Sequence, residues 1–379
     1  MKLSVQVSYK KQFIFFFILI CMTLLITEGI VRTLDIKEVH CAFIETDFFK
    51  NYNMFEKQDM CEKYNSLKYD YTQQIRLLEP NQHNKYFNIN YDGFRGPELN
   101  FQDEDYIIFV LGGSTIFGFI TSSDEFTIPS ILEKKINNEK LNVKVVNAGI
   151  PMATSGNELY YLENYILDYS PDMIIMYDGW NDIIEGINDY KKDNSDKGYN
   201  PINEDLSTED NTNTGLISFF AKIDYQTGLG IALFLSHLIN DPEIDINENI
   251  NIYKNTDTSA LDFIESKIEN NWLKACSLEE KHELQIVNIL QPMLGTSDRI
   301  ISNETKSLLS SFSVHMKKLD LDENRLNACH NVYDFRNVFA EMDNEVIYFD
   351  EGHMSDFGNE IIAENIFKKI LPIILKDLN

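Results

Sequence analysis

The stretch Tyr106-Ile-Ile-Phe-Val-Leu-Gly-Gly-Ser-Thr-Ile-Phe-Gly118 constrains this chain more than any other. Six apolar or aromatic residues end abruptly in two glycines and a serine, the pattern of a buried strand that delivers one hydroxyl to the carboxyl edge of a parallel sheet. Open α/β sheets place their chemistry at such edges. Ser114 is therefore the candidate nucleophile for which partners are sought. Its alternative role is that of an ordinary residue in a tight turn between strand and helix.

Downstream the same rhythm recurs. Asp124 or Thr127 can cap a helix with Pro129 in its first turn and Ile131, Leu132 and Ile136 on one face. A strand over Val143–Val146 runs into Asn147-Ala-Gly-Ile-Pro151. After a helix with Leu159, Leu162, Tyr165 and Ile166 inward, a third strand, Met173–Tyr177, ends in Asp178-Gly-Trp-Asn-Asp182. Three strands that each end in a polar, glycine-bearing loop predict βαβαβ, hence a parallel sheet with helices on both faces. A helix from about Ala260 to Glu280, strands over Leu284–Leu290 and Val332–Phe335, and a C-terminal amphipathic helix with Ile361, Ile362, Ile366 and Ile370 inward continue the pattern. The rhythm breaks over about 186–259. There Asn-, Asp- and Gly-rich sequence surrounds the apolar segment Leu216–Ile239, which Lys222 and Asp224 interrupt too early for a membrane span. It reads as a helical insertion, either lid or packing element.

The chain has 379 residues, 44% of them hydrophobic, enough for one large globular domain with accessories. Its net charge of -27 and its lack of a Lys/Arg stripe argue against a nucleic-acid partner. Gln12 to Thr27 carries no charge, and residues 12–34 are long enough for a transmembrane anchor. Lys2, Lys10 and Lys11 precede it, so residues 1–11 are expected in the cytoplasm and the rest outside. A cleaved signal peptide is the alternative, but no small-x-small site follows the apolar run. Residues 35–100 read as a stalk or membrane-proximal subdomain and an entry segment leading into the main domain, 101–379. Within that segment, Asp92-Gly93 and Gly96-Pro97 are turn signals around an exposed-looking Arg95, best read as an ordered loop on the sheet. Four cysteines follow the anchor; Cys41 with Cys61 and Cys276 with Cys329 are the most local of three pairings. The cysteine spacings match no metal-binding pattern and there is no CxxC, so a metal site is not expected; a serine nucleophile implies no cofactor.

Three loops thus share one location. They offer Ser114, Asn181, and Asp350 with His353. A serine hydroxyl is a poor nucleophile until an imidazole accepts its proton, and the imidazole needs a carboxylate to fix its tautomer. Asp350 and His353 are three residues apart, so one short loop can carry both. The Ser114 backbone N–H and the Asn181 amide can serve as oxyanion donors. Taken singly, each piece has an ordinary alternative, an Asx turn for Asn181 or a helix cap for His353; together they point to a catalytic site.

In these blocks, Gly112-Gly-Ser-Thr115, Gly179-Trp-Asn-Asp182 and Asp350-Glu-Gly-His353, the sequence resembles an SGNH hydrolase, a branch of the GDSL esterase and lipase superfamily. The resemblance runs from about Tyr106 to Asn379, with the insertion unmatched. It implies a three-layer α/β/α fold with a parallel flavodoxin-like sheet and serine hydrolysis of acyl esters, O-acetyl groups on a cell-surface glycan being the substrate it favours. O-acyl transfer at the same site, a non-catalytic glycan-binding or assembly role, and a lipid-active esterase are the alternatives. Gly93-Phe-Arg-Gly-Pro97 is similar to a phrase in membrane-anchored members linked with surface polysaccharides. Two positions depart from the pattern. Gly113 replaces the usual aspartate before the serine, and Met152 aligns with the glycine that supplies a third oxyanion N–H, with Gly149 nearby if the loop is shifted.

Overall fold

The structure is a computed structural model and describes residues 8–33, 49, 52, 54–194, 256–297, 309–342 and 346–379. The segment Leu216–Ile239 and Cys41 lie outside them. The chain divides into two units, Met1–His40 with Asn200–Ile244, and Cys41–Tyr199 with Asp245–Asn379. In the first, α1 runs over Tyr9–Thr33. Its window Tyr9–Ile26 has a mean hydropathy of 1.8, and the helix is long and apolar enough to cross a membrane.

The second unit opens with α2 (Met54–Asn65) and two short hairpins, β1 (Tyr69–Asp70) with β2 (Leu77–Leu78) and β3 (Gln82–His83) with β4 (Asn88–Ile89). Then come β5 (Tyr106–Gly112), the one-turn α3 (Ser114–Phe117), α4 (Ile128–Asn138), β6 (Val143–Asn147), α5 (Ser155–Asn164), β7 (Met173–Asp178) and α6 (Trp180–Asn194). After the undescribed stretch follow α7 (Leu261–Cys276), α8 (Glu279–His282), β8 (Gln285–Leu290), α9 (Ser311–Lys318), β9 (Asn331–Asp334) and α10 (Asp356–Asp377). The strands β6-β5-β7-β8-β9 form one sheet in that order, every pair parallel. This is the doubly wound order 2-1-3-4-5, whose switch point lies between the first and third strands.

Both faces of the sheet are covered, which is why the strands are apolar throughout instead of alternating. Phe109, Leu111, Ile174, Met176 and Ile286 pack with residues of α5, α6 and α7 on one face. Ile108, Val110, Ile175, Val287 and Ile289 pack with α4 and α10 on the other. Together they make the predicted α/β/α sandwich. Thr127 caps α4 with Pro129 in its first turn, and Ile362, Ile366 and Ile370 of α10 are fully buried, as the periodicity requires. Cys276 at the end of α7 is bridged to Cys329, just before β9, with Cα atoms 5.3 Å apart. Cys61 is also disulfide-bonded.

The stretch before β5 packs onto this sandwich. Tyr64, Tyr86, Phe87 and Ile89 are buried in one cluster with Phe117, Ile120 and Phe349. These partners belong to the segment after Ser114 and to the loop bearing His353, so the leading segment buttresses both. Arg95 is at the centre, and its exposed-looking sequence setting is misleading: it is 3% exposed. Nε pairs with Asp124 at 2.7 Å, and Nη1 donates to the carbonyls of Phe117 and Gly118 at 2.8 and 2.6 Å. Those carbonyls end α3, where a cation satisfies acceptors that the helix cannot. A sequence window around Arg95 could not reveal this, because Asp124 and the two carbonyls lie more than twenty residues away.

Candidate active site

Ser114 begins α3 immediately after β5 and is largely buried, so its hydroxyl sits at the carboxyl edge of a central strand. Its Oγ lies 2.7 Å from His353 Nε2, and His353 Nδ1 lies 2.6 Å from Asp350 Oδ2. Asp350 and His353 share one tight loop, in which the Asp350 Oδ1 accepts the backbone N–H groups of Gly352 and His353 at 2.9 and 2.7 Å. Burial alone would raise the Asp350 carboxyl, but the His353 charge, its ring N–H and these two amides hold it below the ordinary carboxylate range. An ionised Asp350 fixes the proton on Nδ1 and leaves Nε2 free to accept from Ser114.

Three aromatic rings enclose the imidazole. Phe349 stacks on it at 5.5 Å between centroids, Trp180 meets it edge-on at 5.0 Å, and Phe119 lies tilted at 5.3 Å. Trp180 reaches this place because residue 352 is glycine: a Cβ there would sit 2.0 Å from the indole Cε3. Trp180 and Phe349 lie inside the motif loops, but nothing in a linear pattern says which neighbour an aromatic ring will face.

Asn181, on the first turn of α6, donates its Nδ2 to Ala153 O at 2.8 Å, leaving the second amide hydrogen for another acceptor. The same Nδ2 occupies the space that a side chain at position 113 would need, 2.2 Å from an ideal Cβ. Gly113 is thus what lets the amide approach the end of the strand that carries Ser114. The loop after β6 brings its backbone to the same edge. Its N–H groups are committed one by one: Gly149 to Asn147 Oδ1, Ile150 to Gly112 O, Ala153 to Ile150 O, Thr154 to Asn157 Oδ1 and Ser155 to Asp182. Pro151 has none. Met152 is the residue of this loop whose N–H meets no protein acceptor among the described residues, and it sits at φ +68° with its side chain exposed. Gly149, the alternative to Met152, has its N–H on Asn147 Oδ1 at 3.1 Å.

Beneath these loops lies a buried carboxyl cluster. Asp182 accepts Ser155 N–H and Oγ–H and so ties the start of α5 to the start of α6. Asp178 accepts Trp272 Nε1–H at 2.6 Å. Among the described residues no group of side chains suited to a metal ion is present.

Fold and site together define an α/β protein with a serine, histidine and aspartate in one hydrogen-bonded line at the carboxyl edge of a parallel sheet. No family model matches the chain, and no curated protein does. Among solved structures the chain is similar to the acetyl xylan esterase AlAXEase, with a TM-score of 0.36 and 12% identity over 69% of this chain and 98% of that one. It is similar also to a putative lipolytic protein of the G-D-S-L family from Desulfitobacterium hafniense, with a TM-score of 0.38 and 11% identity over 69% and 98%. A third is a catalytic mutant of Axe2, an acetylxylan esterase from Geobacillus stearothermophilus, with a TM-score of 0.39 and 10% identity over 70% and 94%.

Proposed function

We propose that the chain is a membrane-anchored serine esterase of the SGNH type that hydrolyses acyl esters, O-acetyl groups on a cell-surface glycan being its substrate class. The observation that carries the esterase reading is the unbroken hydrogen-bonded line from Ser114 Oγ through His353 to Asp350. In the reaction Ser114 Oγ attacks the acyl carbon while its proton passes to His353 Nε2, and Asp350 steadies the imidazolium. The oxygen that gains charge is held by the Ser114 N–H, the free Asn181 amide hydrogen and the Met152 N–H. Collapse expels the alcohol, which takes the proton from His353. Water, deprotonated by the same imidazole, then attacks the acyl-serine and releases the carboxylic acid, restoring the hydroxyl. Every step uses groups of the chain and water, without a cofactor.

The apolar helix α1 and the lysines that precede its uncharged run, Lys2, Lys10 and Lys11, support an anchor with the N-terminus in the cytoplasm and the catalytic unit outside. The Gly93–Pro97 phrase supports the glycan assignment, through its likeness to membrane-anchored members linked with surface polysaccharides. In that organisation residues 1–11 are cytoplasmic, 12–34 span the membrane, and 35–379 carry the leading segment and the catalytic domain with its insertion at about 186–259. Full-length protein in detergent is expected to turn over an aryl acetate and to release acetate from an O-acetylated polysaccharide. Ser114→Ala is expected to lose both activities; full turnover by that variant would refute the assignment.

A further inference from the structure

Residues 150–153 form a β-turn closed by the Ala153 N–H donating to Ile150 O at 2.9 Å. Pro151 stands at the second position and Met152, at φ +68°, at the third. Proline fixes φ near −65°, so a positive φ at the following residue makes this a type II turn. Glycine is the residue such a turn favours at its third position. A methionine there pays roughly 1–2 kcal/mol for the left-handed conformation and is better suited to a type I turn, in which the central peptide is turned over. That central peptide is Pro151 C=O to Met152 N–H, the source of the third oxyanion donor.

Something must hold it, and the holder lies far away in sequence. Arg76 Nη2 donates to Pro151 O. The guanidinium is half-buried and lies over the Tyr69 ring at 4.2 Å, and Tyr69 pairs with Leu78 across the β1–β2 hairpin, so the arginine is anchored on the leading segment. We infer that Arg76 is a positioning residue of the oxyanion hole: by gripping Pro151 O it keeps the Pro151–Met152 peptide in the type II orientation, which aims the Met152 N–H at the acyl oxygen. A cation on the carbonyl also polarises the peptide and strengthens its N–H as a donor. The leading segment thereby completes the active site, and a methionine can occupy a glycine's place because the turn is locked from outside.

This inference rests on Ser114 being the nucleophile, and its test separates the two. In full-length protein in detergent, the rate of Ser114 labelling by a fluorophosphonate reads the same donors, because the phosphonyl oxygen takes the position of the oxyanion. Arg76→Ala is expected to slow labelling, and to lower kcat on an aryl acetate, by about tenfold or more, with KM changed by less than about twofold. Adding Met152→Gly to Arg76→Ala is expected to restore most of the loss, since glycine adopts the turn unaided. A purely structural arginine would give a loss that glycine leaves unrepaired. Labelling of Arg76→Ala at the parent rate, or no recovery in the double variant, overturns the inference while leaving the nucleophile intact. A parent protein that the probe does not label at Ser114 overturns both.

Discussion

Alkaline pH is expected to destabilise the α/β/α unit through three carboxyls beneath the loops after β6 and β7. Glu158, Asp178 and Asp182 are all buried. Burial, and then the charge of Asp182, raise Asp178 from the ordinary 3.8 to about 8, and burial raises Asp182 to about 6 against the hydrogen bonds from Ser155. Glu158 is held well above the ordinary carboxylate range by burial and then by the charge of Asp178. Each group binds its proton more tightly in the folded chain than in the unfolded one. The folded state therefore carries more protons, and stability must fall as pH rises. The contribution is whole below about pH 4, where both states are protonated, and is lost progressively as pH rises through 6 and 8.

For Asp178 the folded value lies about four pH units above the unfolded one, and each is worth roughly 1.4 kcal/mol, so the whole window spans on the order of 5 kcal/mol. About 2–3 kcal/mol of it falls between pH 6 and pH 8, equivalent to roughly 5 °C in Tm for a unit of this size. The assay is thermal unfolding of the full-length protein in detergent at pH 6, 7 and 8, followed by near-UV circular dichroism. Asp178→Asn keeps an acceptor for Trp272 Nε1–H and removes the titrating group. Its Tm is expected to fall by about a third to a half less steeply with pH than that of the parent, the slope that remains coming from the other raised carboxyls, Glu158 and Glu351. Equal slopes in the two proteins would refute the reasoning, because the alkaline loss would then come from elsewhere.

Three further outcomes follow from the site and its scaffold. Asp350→Asn offers an amide where His353 Nδ1–H needs an acceptor, favours the wrong tautomer, and is expected to lower kcat by about 10³–10⁴-fold in an aryl acetate assay while the far-UV spectrum is unchanged. Gly113→Ala puts a Cβ where Asn181 Nδ2 lies, so it should cost about 10²-fold in kcat, as removal of one oxyanion donor does; near-parental activity would show that Asn181 does not act there. Replacing Cys276 and Cys329 together by alanine opens a loop of sequence separation 53 and should lower stability by about 4 kcal/mol in a denaturant titration, with kcat per folded molecule kept.

The sheet was legible because its strands are buried on both faces and so are written as continuous apolar runs ending in glycine. Residues 106–112 and 173–178 needed only local hydrophobicity to be found, and the structure extends the predicted strands by a residue or loses one at an end. Ser114, His353 and Asp350 were legible as a set for a similar reason: local sequence places Ser114 at its strand end and sets Asp350 and His353 in a single turn. What the sequence hid depends on contacts between distant segments. Arg95 looked exposed among turn residues because its acceptors, the last carbonyls of α3, come from another part of the chain. Residues 35–100 read as a stalk because their apolar side chains have no period, yet α2 and the hairpins pack irregularly on loops that have none either.

Met152 shows why departure from a pattern is a weak argument against function. As a side chain it looks wrong in a place that favours glycine; the backbone of the loop explains the tolerance. Every other N–H between Gly149 and Ser155 is consumed in building the turn and the start of α5, so the Pro151–Met152 peptide is the one left with a donor to offer, and that N–H is present whatever side chain residue 152 carries. What the side chain does control is the stability of the φ that orients this peptide. With Arg76 on the carbonyl, that stability comes from the charge of a neighbouring segment in place of the conformational freedom of glycine. The requirement of the site is then an oriented peptide, which either a glycine or a locked turn can meet, and only the second ties activity to the docking of the leading segment.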